Sequence, residues 1–131
     1  MANIFNVQFR AHEAVVEEEI LVLSGVISVL DSLTWAVCNE GDGIIVPRPY
    51  YTGFRPAVKE RSRGVLIPAA FHCLDGYRGL DDIFEPQTNR IALERALSEA
   101  AQKGVKARAV LLSKYEKAYM ILILQIRGYR R

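Results

Sequence analysis

The chain has 131 residues, half of them hydrophobic, and a formal net charge of +2 at pH 7. This length and composition indicate one globular domain with its own core, and they exclude a disordered segment. Residues 1–113 hold 12 Lys and Arg against 14 Asp and Glu, whereas residues 114–131 hold five basic side chains against Glu116 alone. Because the basic excess lies in the last segment and not on a face, no nucleic-acid partner is expected.

The spacing of the cysteines and the hydropathy of the chain predict the cellular compartment of the protein. Cys38 and Cys73 lie far apart, and the first ten residues show no signal-peptide pattern, which predicts a reducing, cytoplasmic location without a disulfide framework. His72 next to Cys73 makes no recognisable zinc spacing, so no metal site is expected. The apolar run Met120–Leu124 is much shorter than the ~20 residues of a membrane-spanning helix. No membrane partner is predicted.

The first predicted elements are a strand and a helix that follow each other directly. Glu17–Glu19 is interpreted as a solvated acidic face. Ile20–Leu23 is predicted to be a short buried strand, ended by a turn at Ser24 and Gly25. From Val26 to Cys38 apolar side chains lie almost all the way round a helix, which predicts a mostly buried helix.

Strands and helices alternate along the rest of the chain. The predicted elements are a strand at Ile44–Val46, a polar segment Thr52–Arg63 that is helical after Pro56, a strand at Val65–Ile67, a helix around Leu93–Ala101 and a strand at Ala107–Leu112. Thr88 or Asn89 is expected to cap the start of the long helix, and Gly104 is expected to end it. This alternation predicts an α/β fold with right-handed crossovers and a mostly parallel sheet.

The junction around Gly25 is a candidate anion site. A strand that enters a helix through a glycine presents unpaired backbone N–H groups and the positive end of the helix to an anion such as phosphate. The alternative is a tight turn without a ligand, and this stretch alone favours that alternative because few helix starts bind phosphate. A dinucleotide site needs G-x-G-x-x-G, which Val26 and Ile27 exclude.

A longer motif is more specific. Gly41–Phe54 runs as a Gly-Asp turn, a strand, Pro-x-Pro-Tyr-Tyr and Gly-Phe, with Leu23–Val26 upstream and Ala107–Ser113 downstream. In order and spacing, these motifs resemble the fold-type-I pyridoxal-phosphate enzymes of aminotransferase class I and II. The most similar branch is that of the aminocyclopropane-carboxylate-synthase-like aminotransferases. The resemblance extends from about Asn6 to Ser113.

This resemblance implies an incomplete three-layer α/β/α large domain in residues 1–113, followed by a divergent apolar and basic tail in residues 114–131. It also implies pyridoxal 5′-phosphate as cofactor and an amino acid as substrate of the parent enzyme. In the family, backbone amides at the positions of Val26 and Ile27, next to Gly25, bind the cofactor phosphate. Ile27 lacks the hydroxyl that the family usually has there. Tyr51 stands where the family's aromatic ring stacks on the pyridine ring.

The catalytic groups of the family find no match in this chain. The Schiff-base lysine, the acid at the ring nitrogen and the arginine for the substrate carboxylate lie, in the family, beyond the point where the resemblance ends. Directly after Ser113 the chain has Lys114–Tyr119 where the family has Asn-Pro-x-Asn-Pro. Lys114 and Lys117 are interpreted as surface lysines. No catalytic residue is assigned.

Two functions therefore remain open. The first is a fragment of an aminotransferase-like or aminocyclopropane-carboxylate-synthase-like enzyme that is inactive alone. The alternative is a non-catalytic interaction or dimerisation partner of a full-length family member, because enzymes of this family are usually dimers. In the family's sheet three later strands separate the strands that match Ile20–Leu23 and Ala107–Leu112, so open edges and marginal stability are expected. The apolar segment Ile121–Ile126 is long enough to add to one such edge.

Overall fold

The computed structural model describes residues 1–8, 12–113 and 121–125. Its helices are α1 (Ala2–Gln8), α2 (Gly25–Val37), α3 (Phe54–Lys59) and α4 (Pro86–Gln102), and its strands are β1 (Gly43–Pro47), β2 (Val65–Ala69), β3 (Ala107–Ser113) and β4 (Ile121–Gln125). Two short 3₁₀ helices lie at Glu17–Glu19 and Leu80–Phe84. Within the described part of the chain, no helix is long and apolar enough to cross a membrane.

The four strands form one sheet in the order β2-β1-β3-β4. β1 runs parallel to β2 and to β3, whereas β4 runs antiparallel to β3. The predicted α/β class with a mostly parallel sheet is thereby confirmed.

Helices cover both faces of this sheet. Successive side chains of a strand point to opposite faces, so Ile44 and Val46 of β1 pack with α2 and α3, while Ile45 packs with α4. The first cluster contains Leu30, Ile44, Val46, Phe54, Ala57, Val58, Ala109 and Leu111. The second contains Ile45, Ile67, Ala69, Phe71, Ala92, Ala96, Ala100 and Ala107. Two helical layers around one sheet confirm the predicted α/β/α arrangement.

α4 lies close to the sheet because its inward face is made of alanines. Ala92, Ala96 and Ala100 recur every fourth residue and are at most 4% exposed. The helix begins at Pro86, before the predicted cap at Thr88 or Asn89, because the fixed φ of proline suits the first helical position. The predicted stop is confirmed at Gly104, whose φ of +71° favours glycine.

The predicted strand at Ile20–Leu23 is wrong. These residues belong to no strand, and Leu21 and Val22 are 76% and 63% exposed. A strand needs a neighbour for its backbone N–H and C=O groups, and the described part of the sheet offers none at this position.

The helix predicted from Val26 to Cys38 is confirmed as α2, but the prediction that it is mostly buried is wrong. Only Leu30 and Thr34 are buried. Ile27 and Trp35 are 43% and 58% exposed, because α2 packs into the core along the side of Leu30 and Thr34. The guanidinium of Arg61 lies 4.4 Å from the centre of the Trp35 ring.

β4 adds to the sheet at the edge that β3 would otherwise leave open. Its residues pair antiparallel with β3, from Ala109 opposite Gln125 to Ser113 opposite Ile121. The predicted edge strand is thereby confirmed for residues 121–125. Ile126 lies outside the described residues.

An ion pair joins the first turn of the sheet to β3. Asp42, 8% exposed, accepts hydrogen bonds from the backbone N–H of Asn39 at 2.8 Å and from Nε of Arg108 at 2.7 Å. Burial by itself raises the pKa of Asp42, but the hydrogen bonds from Asn39 and Arg108 outweigh burial and hold that pKa below its usual value. Burial raises the pKa of the nearby Cys38 thiol to about 11, with help from the charge of Asp42.

We expect Asp42→Asn to lower the free energy of unfolding by about 1–3 kcal/mol, because it leaves the largely buried Arg108 guanidinium without a counter-charge. Glu40→Gln is the matched control, since the Glu40–Arg63 pair is 71% exposed on both sides and exposed pairs contribute about 0–1 kcal/mol. Urea unfolding of the variants measures both losses. Equal losses would contradict the stabilising role of Asp42.

The contribution of Asp42 is also expected to depend on pH. Because its pKa is lower in the folded chain than in the unfolded chain, ionised Asp42 stabilises the fold above the unfolded pKa of about 3.9. That stabilisation is lost as the pH falls through the folded pKa. The stability difference between wild type and Asp42→Asn should therefore shrink between pH 5 and pH 2.5, as followed by urea unfolding. A difference that is constant over this range would refute the assignment.

Candidate functional site

The predicted cofactor residues lie at the carboxyl edge of the parallel strands. The short connection Cys38–Asp42 leads from the end of α2 to the start of β1, so α2 runs antiparallel to β1 and begins near the carboxyl end of β1. α2 packs against α3, where Oγ1 of Thr34 lies 3.4 Å from the carbonyl oxygen of Ala57. The loop that contains Tyr51 leaves the carboxyl end of β1. Ligands of parallel α/β sheets bind at this edge.

The first turn of α2 is built around Gly25. Its φ of +80° belongs to the left-handed region, and its N–H donates to the carbonyl oxygen of Leu23 at 2.9 Å. A Cβ at this position would meet nothing within 4 Å, so the conformation and not the available space requires glycine. Helix geometry leaves the N–H groups of Val26 and Ile27 without an intrahelical acceptor. Both residues are more than a third exposed.

Ser28 does not supply the hydroxyl that Ile27 lacks. Its Oγ donates a hydrogen bond to the carbonyl oxygen of Ser24 at 2.8 Å, within the same turn. The groups that this helix start offers to an anion are therefore backbone N–H groups and the helix dipole.

Tyr51 is supported from one side and open on the other. Its ring lies so close to Gly53 that a Cβ there would be 2.3 Å from Cε1 of Tyr51. It also meets the ring of Phe54 edge to face, with centroids 5.7 Å apart, and Phe54 is buried. Tyr51 itself is 61% exposed. A flat ring held in this way fits a stacking partner such as pyridine, and the start of α2 fits a phosphate, so the residues present suit pyridoxal phosphate.

Two arginines of the same loop region were not among the site residues predicted from the sequence. Arg48 and Arg55 line a cavity of about 490 Å³ together with Pro49, Tyr50 and Thr52. The only signals in the sequence were an arginine inside Pro-x-Pro and another directly after Gly-Phe.

A second cavity shares one wall with the first. It has about 240 Å³, includes Arg48 and Pro49, and is lined on its other side by Phe71, His72, Tyr77 and Ile83. His72, interpreted from the sequence as structural, therefore lies beside the same edge of the sheet. No group of three or more potential metal ligands occurs among the residues that the structure describes.

The described lysines lie away from this edge. Lys59 ends α3, while Lys103 and Lys106 flank the short turn between α4 and β3, so all three lie toward the amino ends of the strands. Lys114 and Lys117 lie outside the described residues. The carboxyl edge thus presents no lysine among residues 12–113.

Comparisons with known proteins agree with this geometry. The family described as aminotransferase class I and II matches residues 6–114. 1-Aminocyclopropane-1-carboxylate synthase 5 of Oryza sativa subsp. japonica is 30% identical over 73% of this chain and 16% of its own length. The "probable inactive 1-aminocyclopropane-1-carboxylate synthase-like protein 2" of Homo sapiens is 31% identical over 79% of this chain and 18% of its own length. The chain thus spans about a sixth of these relatives.

A solved structure shows the same fold. The kynurenine aminotransferase of Pyrococcus horikoshii, determined with PMP, superposes with a TM-score of 0.52 at 21% identity, over 83% of this chain and 23% of its own. The matched family range contains α2, β1, β2, α4 and β3, and with them all four predicted cofactor residues. Pyridoxal phosphate is the cofactor that this resemblance implies. On the extent of the family match, the chain belongs to the aminotransferase class I and II family.

Proposed function

We propose that this chain is the cofactor-phosphate part of a pyridoxal-phosphate enzyme that acts on amino acids, as an aminotransferase or as an aminocyclopropane-carboxylate-synthase-like lyase. The supporting observation is the exposed start of α2 together with the exposed ring of Tyr51 at one edge of the sheet. The amides of Val26 and Ile27 hold the phosphate through a turn that Gly25 makes possible. Tyr51 holds the ring. When bound, the cofactor supplies an electron sink for chemistry at the amino-acid α-carbon.

The 131-residue chain is proposed to be inactive by itself. Pyridoxal-phosphate enzymes use a lysine aimed at the cofactor aldehyde, with a pKa lowered by its surroundings. Lys59, Lys103 and Lys106 lie toward the opposite edge of the sheet, which supports this proposal. Residues 1–113 form the family part, and residues 114–131 are a divergent tail. The cysteine usage supports a cytosolic location.

A second candidate function is that of a non-catalytic partner for a full-length family member. Apolar side chains outside the core favour it: Leu21, Val22, Val26, Ile27, Val29 and Trp35 are each more than a third exposed. Contiguous exposed apolar surface marks interaction sites. Co-purification with a full-length relative, without turnover by the isolated chain, separates this function from that of an enzyme.

Cofactor binding should depend on Gly25 and on the ring of Tyr51. Gly25→Pro imposes a negative φ where the chain has +80°, so binding of pyridoxal phosphate at the start of α2 should be lost. Tyr51→Ala should weaken binding about 5- to 30-fold, through ~1–2 kcal/mol of lost stacking. Tyr51→Phe is the control because it keeps the ring, and it should bind like wild type. Calorimetric titration measures all four proteins, and equal affinities would show that the pocket is wrong.

Borohydride reduction with pyridoxal phosphate should label no lysine of this chain selectively. No described lysine lies at the carboxyl edge, so reduction should give only weak labelling spread over several lysines. Peptide mapping by mass spectrometry measures the distribution. One dominant pyridoxyl-lysine that disappears on substitution of that residue would overturn the proposed inactivity.

A further inference from the structure

The arginines of residues 12–113 fall into two groups. Within residues 12–113, six of them form ion pairs: Arg61, Arg63, Arg78, Arg90, Arg95 and Arg108. The remaining two, Arg48 and Arg55, have no carboxylate partner in the described part of the chain. Both line the same cavity of about 490 Å³. The two arginines without a described carboxylate partner therefore line one cavity.

The backbone at both arginines is fixed by its surroundings. The N–H of Arg48 donates to the carbonyl oxygen of Ala69, at the end of β2, at 2.9 Å. The N–H of Arg55 donates to the carbonyl oxygen of Thr52 at 3.3 Å, and the preceding residue, Phe54, is buried in the first cluster. The arginines thus start from two anchored points on either side of the Pro49–Gly53 loop. Such anchoring lowers the entropic cost of binding a ligand between them.

The other walls of the cavity suit an anion. The described lining residues include no carboxylate, and Thr52 and Tyr50 add two hydroxyl groups that can donate hydrogen bonds. Two guanidinium groups balance a charge of −2, which a phosphate monoester approaches at neutral pH and a single carboxylate does not. The volume lies in the range of small-molecule sites.

We propose that Arg48 and Arg55, with Thr52 and Tyr50, form a phosphate-binding site that is separate from the start of α2. Its ligand is a phosphate group, either free or on a small phosphorylated molecule. This site does not depend on the proposed enzymatic function, because its arginines and the cofactor residues Gly25, Val26, Ile27 and Tyr51 are different.

Calorimetric titration of the folded chain with inorganic phosphate at pH 7.5 and low salt tests the site. Arg48→Gln and Arg55→Gln should each weaken binding at this site at least tenfold, and the double variant should lose this site and keep at most the phosphate bound at the start of α2. Arg63→Gln and Arg90→Gln remove exposed, paired arginines, and should bind like wild type. Arg55→Lys keeps the charge but loses the planar fork, so it should fall between wild type and Arg55→Gln.

Further variants and ligands distinguish this site from other anion sites. Gly25→Pro should keep phosphate binding even where it loses pyridoxal phosphate. Loss of phosphate binding in Gly25→Pro with retention in both Gln variants at Arg48 and Arg55 would place the anion at α2 and overturn the proposal. The proposal would also be overturned if Arg90→Gln weakened phosphate binding as much as the variants at Arg48 and Arg55. The same holds if succinate bound as tightly as phosphate, or if titration with 10 mM phosphate gave no heat. Glucose 6-phosphate that binds more tightly than inorganic phosphate would support a phosphorylated molecule as the ligand.

Discussion

The burial of β1 on both faces is the constraint on which the rest of the structure depends. Ile44, Ile45 and Val46 are each 1% exposed, and each such burial contributes about 1.5–3 kcal/mol. Their side chains point alternately to the two faces of the sheet, so β1 packs against the α2–α3 layer on one face and against α4 on the other. The strand begins at Gly43, where a Cβ would lie 2.2 Å from Cδ1 of Ile67, so a side chain there would displace the side chain of Ile67. Both loops of the candidate site take their positions from this strand.

The two ends of β1 have different roles. At its amino end, Asp42 and Arg108 form a largely buried pair that fastens the turn to β3, and the Cys38 thiol beside them is kept protonated at neutral pH. This end is closed and structural. At its carboxyl end, Tyr51 and the arginine-lined cavity are open to solvent. Stability and ligand access are thus separated along one strand, so substitutions at one end have little reason to disturb the other.

The sequence predicted the regular elements well where periodicity and turn residues agree. β1, β2, α4 and β3 follow from apolar runs bounded by Gly41, Pro49 and Gly104. Ile20–Leu23 was predicted wrongly because apolarity reports a tendency to be buried and cannot report whether a neighbouring strand is present. The prediction that α2 is mostly buried was wrong for the same reason. α1 was missed because its short sequence has no clear helical periodicity. Whether Arg48 and Arg55 have a partner depends on where carboxylates distant in sequence lie in the fold. Local sequence patterns carry no information on those positions.

The direction of β4 limits the rim that the carboxyl ends of the parallel strands form. β2, β1 and β3 all point the same way, so their carboxyl ends form one continuous rim. β4 is reversed, so its first residue, Ile121, lies opposite Ser113 at that rim. The reversal breaks the polarity of the sheet at β3. If another strand paired antiparallel with β4, it would run in the same direction as β3. Its carboxyl end would still be separated from that of β3 by the width of β4. Within the described residues, the continuous rim of carboxyl ends therefore stops at β3.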